Sequence, residues 1–139
     1  MNLPTLVTAA FDLGRDKLEG DFRRDSSHYR KYFSATLAID CPMVIYTEAS
    51  FVEFIQKIRG DKPTQIITTE LGTALDETTT NKINAIRQDS AWLAQAEWLP
   101  RSPQAALSGY NALVFSKPLW LKEQAEQNPF NSKIGRAHV

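Results

Sequence analysis

Residues 42–69 read PMVIYTEASFVEFIQKIRGDKPTQIITT, and their punctuation is that of strand, helix, strand. Pro42 ends any helix before it. Residues 43–46 (MVIY) form a short continuous apolar run, which fits a strand buried on both faces. Ser50 and Glu53 have the spacing of a capping box, in which the hydroxyl takes the Glu53 amide and the carboxylate reaches back. Phe51, Phe54, Ile55 and Ile58 then recur at i, i+3, i+4 and i+7, one face of a helix. Gly60 stands where a left-handed C-terminal cap belongs. Pro63 introduces a further strand at residues 64–69.

The same grammar extends toward the N-terminus. Residues 5–11 (TLVTAAF) are another apolar run, bounded by Pro4 and by Asp12-Leu13-Gly14. Residues 16–25 (DKLEGDFRRD) mix charges of both signs and predict an exposed loop. Tyr29, Tyr32, Phe33 and Leu37 predict a helix that Ser26 or Ser27 would cap. Apolar runs separated by helices are βαβ units, and right-handed crossovers would lay the strands parallel in one sheet.

Downstream the pattern is weaker. Within residues 75–98, Ile83 and Ile86 suggest one helical face and Trp92 with Leu93 another. Ser102-Pro103 is a helix start, with Ser as cap and Pro in the first turn. Leu107, Tyr110, Leu113 and Val114 keep helical spacing behind it. Ser116-Lys117-Pro118 predicts a break and restart before Trp120, Leu121 and Ala125, and Asn128-Pro129 ends the helix. No repeat, low-complexity tract or linker divides the chain, so it reads as a single domain.

Composition narrows the function classes. The chain has 139 residues with 16 basic and 16 acidic side chains, hence no net charge. That balance removes the field that steers a protein onto nucleic acid or an anionic membrane. The lone Cys41 cannot build a disulfide framework, which points to a reducing compartment, and two His with one Cys cannot make a zinc site unaided. No signal peptide and no membrane span is predicted. The expectation is a cytoplasmic protein, with membrane association left open.

In open parallel sheets, ligands bind at the carboxyl ends of the strands. Those ends fall here at Phe11-Asp12-Leu13-Gly14-Arg15, at Thr47-Glu48 and at Thr69-Glu70, so each offers a carboxylate. Asp12 suits a ribose hydroxyl or a base edge, and the planar fork of Arg15 suits a phosphate. Thr8 and Ala10 lie near the first exit, where a flat base could stack. The same residues also suit plain solvated strand ends. There is no GxGxxG, no GxxxxGK[ST] and no GxSxG. Cys41 reads as a core residue and His28 as a surface one. Helical spacing assigns Tyr29, Tyr32 and Phe33 to the core rather than to a stacking platform.

The final residues, Ile134-Gly135-Arg136-Ala137-His138-Val139, are encoded in order by ATC GGA AGA GCA CAC GTC, which resembles a short-read sequencing adapter. Residues 134–139 therefore read as a non-native tail, and residues 1–133 as the N-terminal part of one domain whose natural sequence runs on.

The segments TLVTAAFDLGR, HYRKYF, CPMVIYTE and SGYNALVFSKPLWLKEQAEQNPFNSK, in this order and spacing, resemble the HtrL/WlaTC family of bacterial proteins regarded as glycosyltransferases. The resemblance implies an α/β fold, Rossmann-like and of glycosyltransferase A type. It implies a mostly parallel sheet with flanking helices, incomplete here at the C-terminus. It further implies a nucleotide-sugar donor, a glycan or glycolipid acceptor, and a place in lipopolysaccharide or capsule synthesis. Thr8, Ala10, Phe11 and Asp12 then become nucleoside-pocket candidates, Arg15 a diphosphate candidate and Lys117 a further donor contact. Members follow the NPFNS-like block with an aromatic, Trp-Ile-Asp and Gly stretch, whose Asp resembles a metal-binding carboxylate. The adapter-like tail occupies that place. A divalent metal, Mn or Mg, is thus expected in the full-length protein with its ligand absent from this chain, which is then an inactive fragment lacking the next strand. The alternative is a non-catalytic α/β binding or scaffold module in envelope assembly.

Overall fold

The computed structural model describes residues 3–132 and 134–136. Strands β1 (Thr5–Ala10), β2 (Met43–Thr47), β3 (Thr64–Thr68) and β4 (Ile134–Arg136) form one sheet in the order β3-β2-β1-β4. All the pairings are parallel: Leu6 lies opposite Met43, Ile45 opposite Ile66, and Thr5 opposite Ile134. The three apolar runs thus lie side by side, as their punctuation predicts. The chain first steps outward from β1 to β2 to β3, then returns to place β4 on the other side of β1. The strand expected to be missing after Lys133 is present in part, because Ile134–Arg136 fill the position beside β1.

Continuous apolar runs are explained by cover on both faces. Helices α1 (Ser26–Leu37) and α2 (Val52–Arg59) supply Phe33, Leu37 and Ile55 to one face, against Ala10, Met43 and Ile45. The opposite face packs Val7, Ala9, Val44 and Tyr46 against Leu113 and Trp120 of α6 (Ser108–Gln127). Between them, α3 (Glu77–Gln88), α4 (Ser90–Leu93) and α5 (Pro103–Ala106) form a peripheral arm. Neither α3 nor α4 has a buried residue, which is why periodicity was weak there. The start of α6 is seated tightly: a Cβ on Gly109 would stand 3.1 Å from Leu71 Cδ1 and 3.4 Å from Leu13 Cδ2.

Several local expectations are corrected. The cap of α1 is Asp25, whose carboxylate accepts from the His28 amide at 2.7 Å, and not Ser26 or Ser27. The Ser50–Glu53 capping box does not form: a 3-10 turn over Ala49–Phe51 precedes α2, and no side chain caps it. Gly60 does close α2, but with φ 53° and ψ −121° it is not the left-handed cap expected, whereas Ser102 does cap α5. Tyr32 leaves the core and is 55% exposed.

The break predicted at Ser116-Lys117-Pro118 is also absent, and α6 runs through Pro118 unbroken. Proline has no amide to give to the Val114 carbonyl one turn back. Val114 and Pro118 are both exposed, so water can satisfy that carbonyl. Pro118→Ala restores the donor and is expected to raise stability by roughly 1–3 kcal/mol, read from denaturant unfolding.

A buried cation ties the opposite end of the sheet. Arg59, 1% exposed, donates to the carbonyls of Leu37, Ile39, Cys41 and Pro63 and to Thr64 Oγ1, at 2.7–3.1 Å. These acceptors belong to the end of α1 and the entries to β2 and β3. Burial lowers the Arg59 pKa from the ordinary arginine value.

Candidate functional site

The carboxyl ends of β1 and β2 are locked together before they diverge. Buried Thr47 Oγ1 donates to the Ala10 carbonyl at 2.7 Å, and the Asp12 amide donates to Glu48 Oε1 at 2.6 Å. Asp12 in turn accepts from the Gly14 amide at 2.9 Å, a tight Asx turn. That turn needs a left-handed residue, and Gly14 has φ 77°. The chain is thereby swung from the strand into a 3-10 turn at Arg15–Lys17. A second 3-10 turn, Gly20–Phe22, follows within the segment predicted as loop.

A cleft of about 1110 Å³ opens at these strand ends. Its floor is Ala9, Phe11 and Asp12. One side is the loop carrying Arg15 and Arg24, and α1 and α6 supply the flanks. It therefore reaches helices from both faces of the sheet. The volume slightly exceeds the range of roughly 300–1,000 Å³ usual for small-molecule pockets, so there is room for a nucleotide with a second group beside it.

Of the sequence-predicted residues, Phe11, Asp12, Arg15 and Lys117 line this cleft together. Thr8 and Ala10 do not line it. Ala10 is fully buried among the side chains under α1 and α2, and Thr8 is buried with no hydrogen-bond partner for its hydroxyl among the described residues. Period-two alternation accounts for the difference, since Ala9 reaches the cleft where Ala10 turns away. Sequence reasoning missed Arg24, Tyr29, Tyr32 and Tyr110, which also line it. Arg24 was hidden in a charge run of mixed sign. The two α1 tyrosines were hidden by a spacing that also suits a core face.

Two guanidinium groups stand on the loop side, with Asp16 and Asp25 beside them in the lining. Arg15 Nε and Nη2 both donate to the Phe22 carbonyl, at 3.3 and 3.1 Å. Arg24 Nη1 donates to the carbonyls of Asp21 and Arg23, each at 2.7 Å. Among the described residues, neither guanidinium is hydrogen-bonded to a carboxylate. Burial first, then the neighbouring Arg24 charge, lowers the Arg15 pKa from the ordinary arginine value, while Tyr110 opposes the shift. Two adjacent guanidinium groups satisfied only by neutral carbonyls are a natural place for an anion.

On the other flank, burial pushes the Tyr29 phenol up to about 12. A backbone hydrogen bond with Phe11 opposes the shift, and nearby Glu48 and Asp12 reinforce it. The folded state holds this proton more tightly than the unfolded chain, where the value is about 10. The resulting stabilisation is complete below about pH 10 and is lost as pH rises from about 10 to about 12. Alkaline unfolding should therefore begin later in Tyr29→Phe than in the unaltered protein, as followed by circular dichroism against pH.

The carboxylates do not make a metal centre. Among the described residues, no group of three or more His, Cys, Asp or Glu side chains is placed to hold an ion. Asp12 and Glu48 meet through a backbone amide, and Glu70 is exposed at the end beyond β3. No helix among the described residues is long and apolar enough to cross a membrane.

The family comparison covers nearly all of this framework. A family model described as "Bacterial protein of unknown function (HtrL_YibB)" matches residues 3–135. No curated protein and no solved structure matches the chain.

Proposed function

We propose that this chain, which belongs to the HtrL_YibB family, is the nucleotide-binding part of a nucleotide-sugar-dependent glycosyltransferase acting in bacterial surface polysaccharide synthesis. The observation that carries the reading is the position of the cleft. The chain steps outward from β1 to β2 to β3 and then returns to the other side of β1, where residues 134–136 of the adapter-like tail hold the place of the next strand, and the cleft lies at the carboxyl end of β1. Reversal points of parallel sheets leave a crevice between diverging loops, and nucleotides bind in such crevices. The strand order is that of a Rossmann-like half, which supports the glycosyltransferase A-type reading.

The residues divide the work by chemistry. The Arg15 and Arg24 side holds the diphosphate, whose charge grows as the sugar leaves. The Asp12 carboxylate is exposed and can accept from a ribose hydroxyl. Phe11 gives the nucleoside an apolar floor. Lys117 approaches from α6 as a further donor contact. The divalent metal expected for such an enzyme finds no group of three or more His, Cys, Asp or Glu side chains to hold it among the described residues.

The test is a thermal-shift titration of the full chain with uridine, guanosine and cytidine diphosphates, each with and without Mn²⁺. A ligand confined to the native state stabilises it by about 2.7 kcal/mol at a hundredfold excess over its Kd. At least one nucleotide should raise the melting temperature by several degrees. If none does under either condition, the reading falls.

A further inference from the structure

We infer that the α1 flank of the cleft is a saccharide-binding platform centred on Tyr32, the acceptor side of the site proposed above. The inference rests on that reading for the word acceptor, but not for the binding of a sugar. Helical geometry sets the stripe. His28, Tyr29, Tyr32, Ala35 and Thr36 fall on one arc of α1, and all five line the cleft. Phe33 and Leu37, fully buried, occupy the neighbouring arc and pin the helix to the sheet. The stripe is therefore carried on a helix pinned to the sheet, with His28, Tyr32 and Ala35 exposed and Tyr29 and Thr36 half-buried.

Tyr32 has the properties of a stacking surface. The residue is more than half exposed although it lines a concave site. His28, one turn back, meets it at a centroid distance of 4.6 Å with the planes tilted by 46°. That contact fixes the ring's direction without sheathing it. Lys31 Nζ stands 5.8 Å from the ring centroid, a weak cation–π partner that an entering ligand can displace. An exposed aromatic ring held at a fixed angle costs apolar contact with water and gains nothing for the core. It suits a ligand that presents an apolar face and a polar edge, as a pyranose does. The Ser26 and Thr36 hydroxyls and the His28 imidazole stand along the same wall to meet that edge.

The location separates this platform from the donor side. The guanidinium pair lies on the loop after β1, whereas Tyr32 lies on the middle of α1. The cleft volume admits both occupants. The acceptor ring would lie on Tyr32 with a hydroxyl turned toward the strand ends.

Saturation-transfer NMR on the full chain tests this. The probes are the methyl β-pyranosides of glucose, galactose and N-acetylglucosamine, alone and with uridine diphosphate. At least one pyranoside should receive transfer at its ring C–H protons, and the nucleotide should not displace it. Tyr32→Ala should weaken that pyranoside about tenfold, the scale of stacking on one aromatic ring. Tyr32→Phe should retain it, and nucleotide binding should be the same in both variants. The inference is overturned if no pyranoside receives transfer or if a transfer titration gives the same pyranoside affinity in Tyr32→Ala as in the unaltered chain. It is equally overturned if Tyr32→Ala weakens the nucleotide instead, which would make the ring a nucleobase platform. Pyranoside binding through Tyr32 in a protein that binds no nucleotide would sink the donor reading and leave the platform standing.

Discussion

Arg59→Ala should cost about 4 kcal/mol of folding free energy, from the loss of charge-assisted hydrogen bonds that leaves buried acceptors unpaired. The side chain is essentially inaccessible and satisfies four backbone carbonyls and one hydroxyl. No carboxylate is among those partners, so its value lies in bridging and not in an ion pair. Domains of this size are stable by roughly 5–15 kcal/mol, so the variant should unfold at a much lower urea concentration or fail to accumulate. Arg59→Lys gives the discriminating result. It keeps the positive charge but has no planar fork to reach separated carbonyls. It should recover less than half of the loss. A lysine variant as stable as the original would show that charge alone, and not the bridging, matters at this point.

Arg15→Ala combined with Arg24→Ala should abolish nucleotide-diphosphate binding while leaving the fold intact. Each charge-assisted hydrogen bond is worth roughly 1.5–3 kcal/mol, so losing one from each side chain should weaken binding by a hundredfold or more. Both arginines are only partly buried, and their present partners are loop carbonyls that water can reach. Stability should therefore change little. Titration calorimetry with uridine diphosphate and then uridine separates the effects. The diphosphate should lose its advantage over the nucleoside in the double variant. An unchanged preference for the diphosphate would move the anion site elsewhere.

The sheet was legible in the sequence because β1 and β2 are short, largely apolar runs and each of β1, β2 and β3 follows closely on a proline. The helices covering it were legible through Phe33, Leu37 and Ile55, whose burial on the sheet gives them their period. Arg59 was not legible. A basic residue in the last turn of a helix looks like an ordinary partner for the helix dipole, and its acceptors come from segments that approach only in the folded chain. Tyr32 was misread for a related reason. A core-facing stripe and a cleft-facing stripe are adjacent on α1, and spacing cannot show where the sheet stops. The capping box failed because the 3-10 turn at Ala49–Phe51 shifts Ser50 out of position to cap α2. Proline at 118 was expected to interrupt α6, yet the exposed side of a helix tolerates a missing donor. Asp12 and Arg15 line the cleft because the strand-end rule depends on topology alone. Thr8 and Ala10 fall on the alternate side of β1 from Ala9 and Phe11, and so turn away from the cleft that those two reach.

The aromatic column beneath the cleft floor gives the protein an optical property of its own. Phe11 forms part of that floor and stacks on Trp120 at 5.9 Å, and Trp120 stacks on Tyr46 at 4.6 Å. Trp120 is sheltered from water, whereas Trp98 on the peripheral arm is open to it. The chain's fluorescence thus contains a shielded emitter touching the cleft floor, with the half-buried Trp92 and the quencher-accessible Trp98 outside the cleft lining, so occupancy can be followed with no label attached.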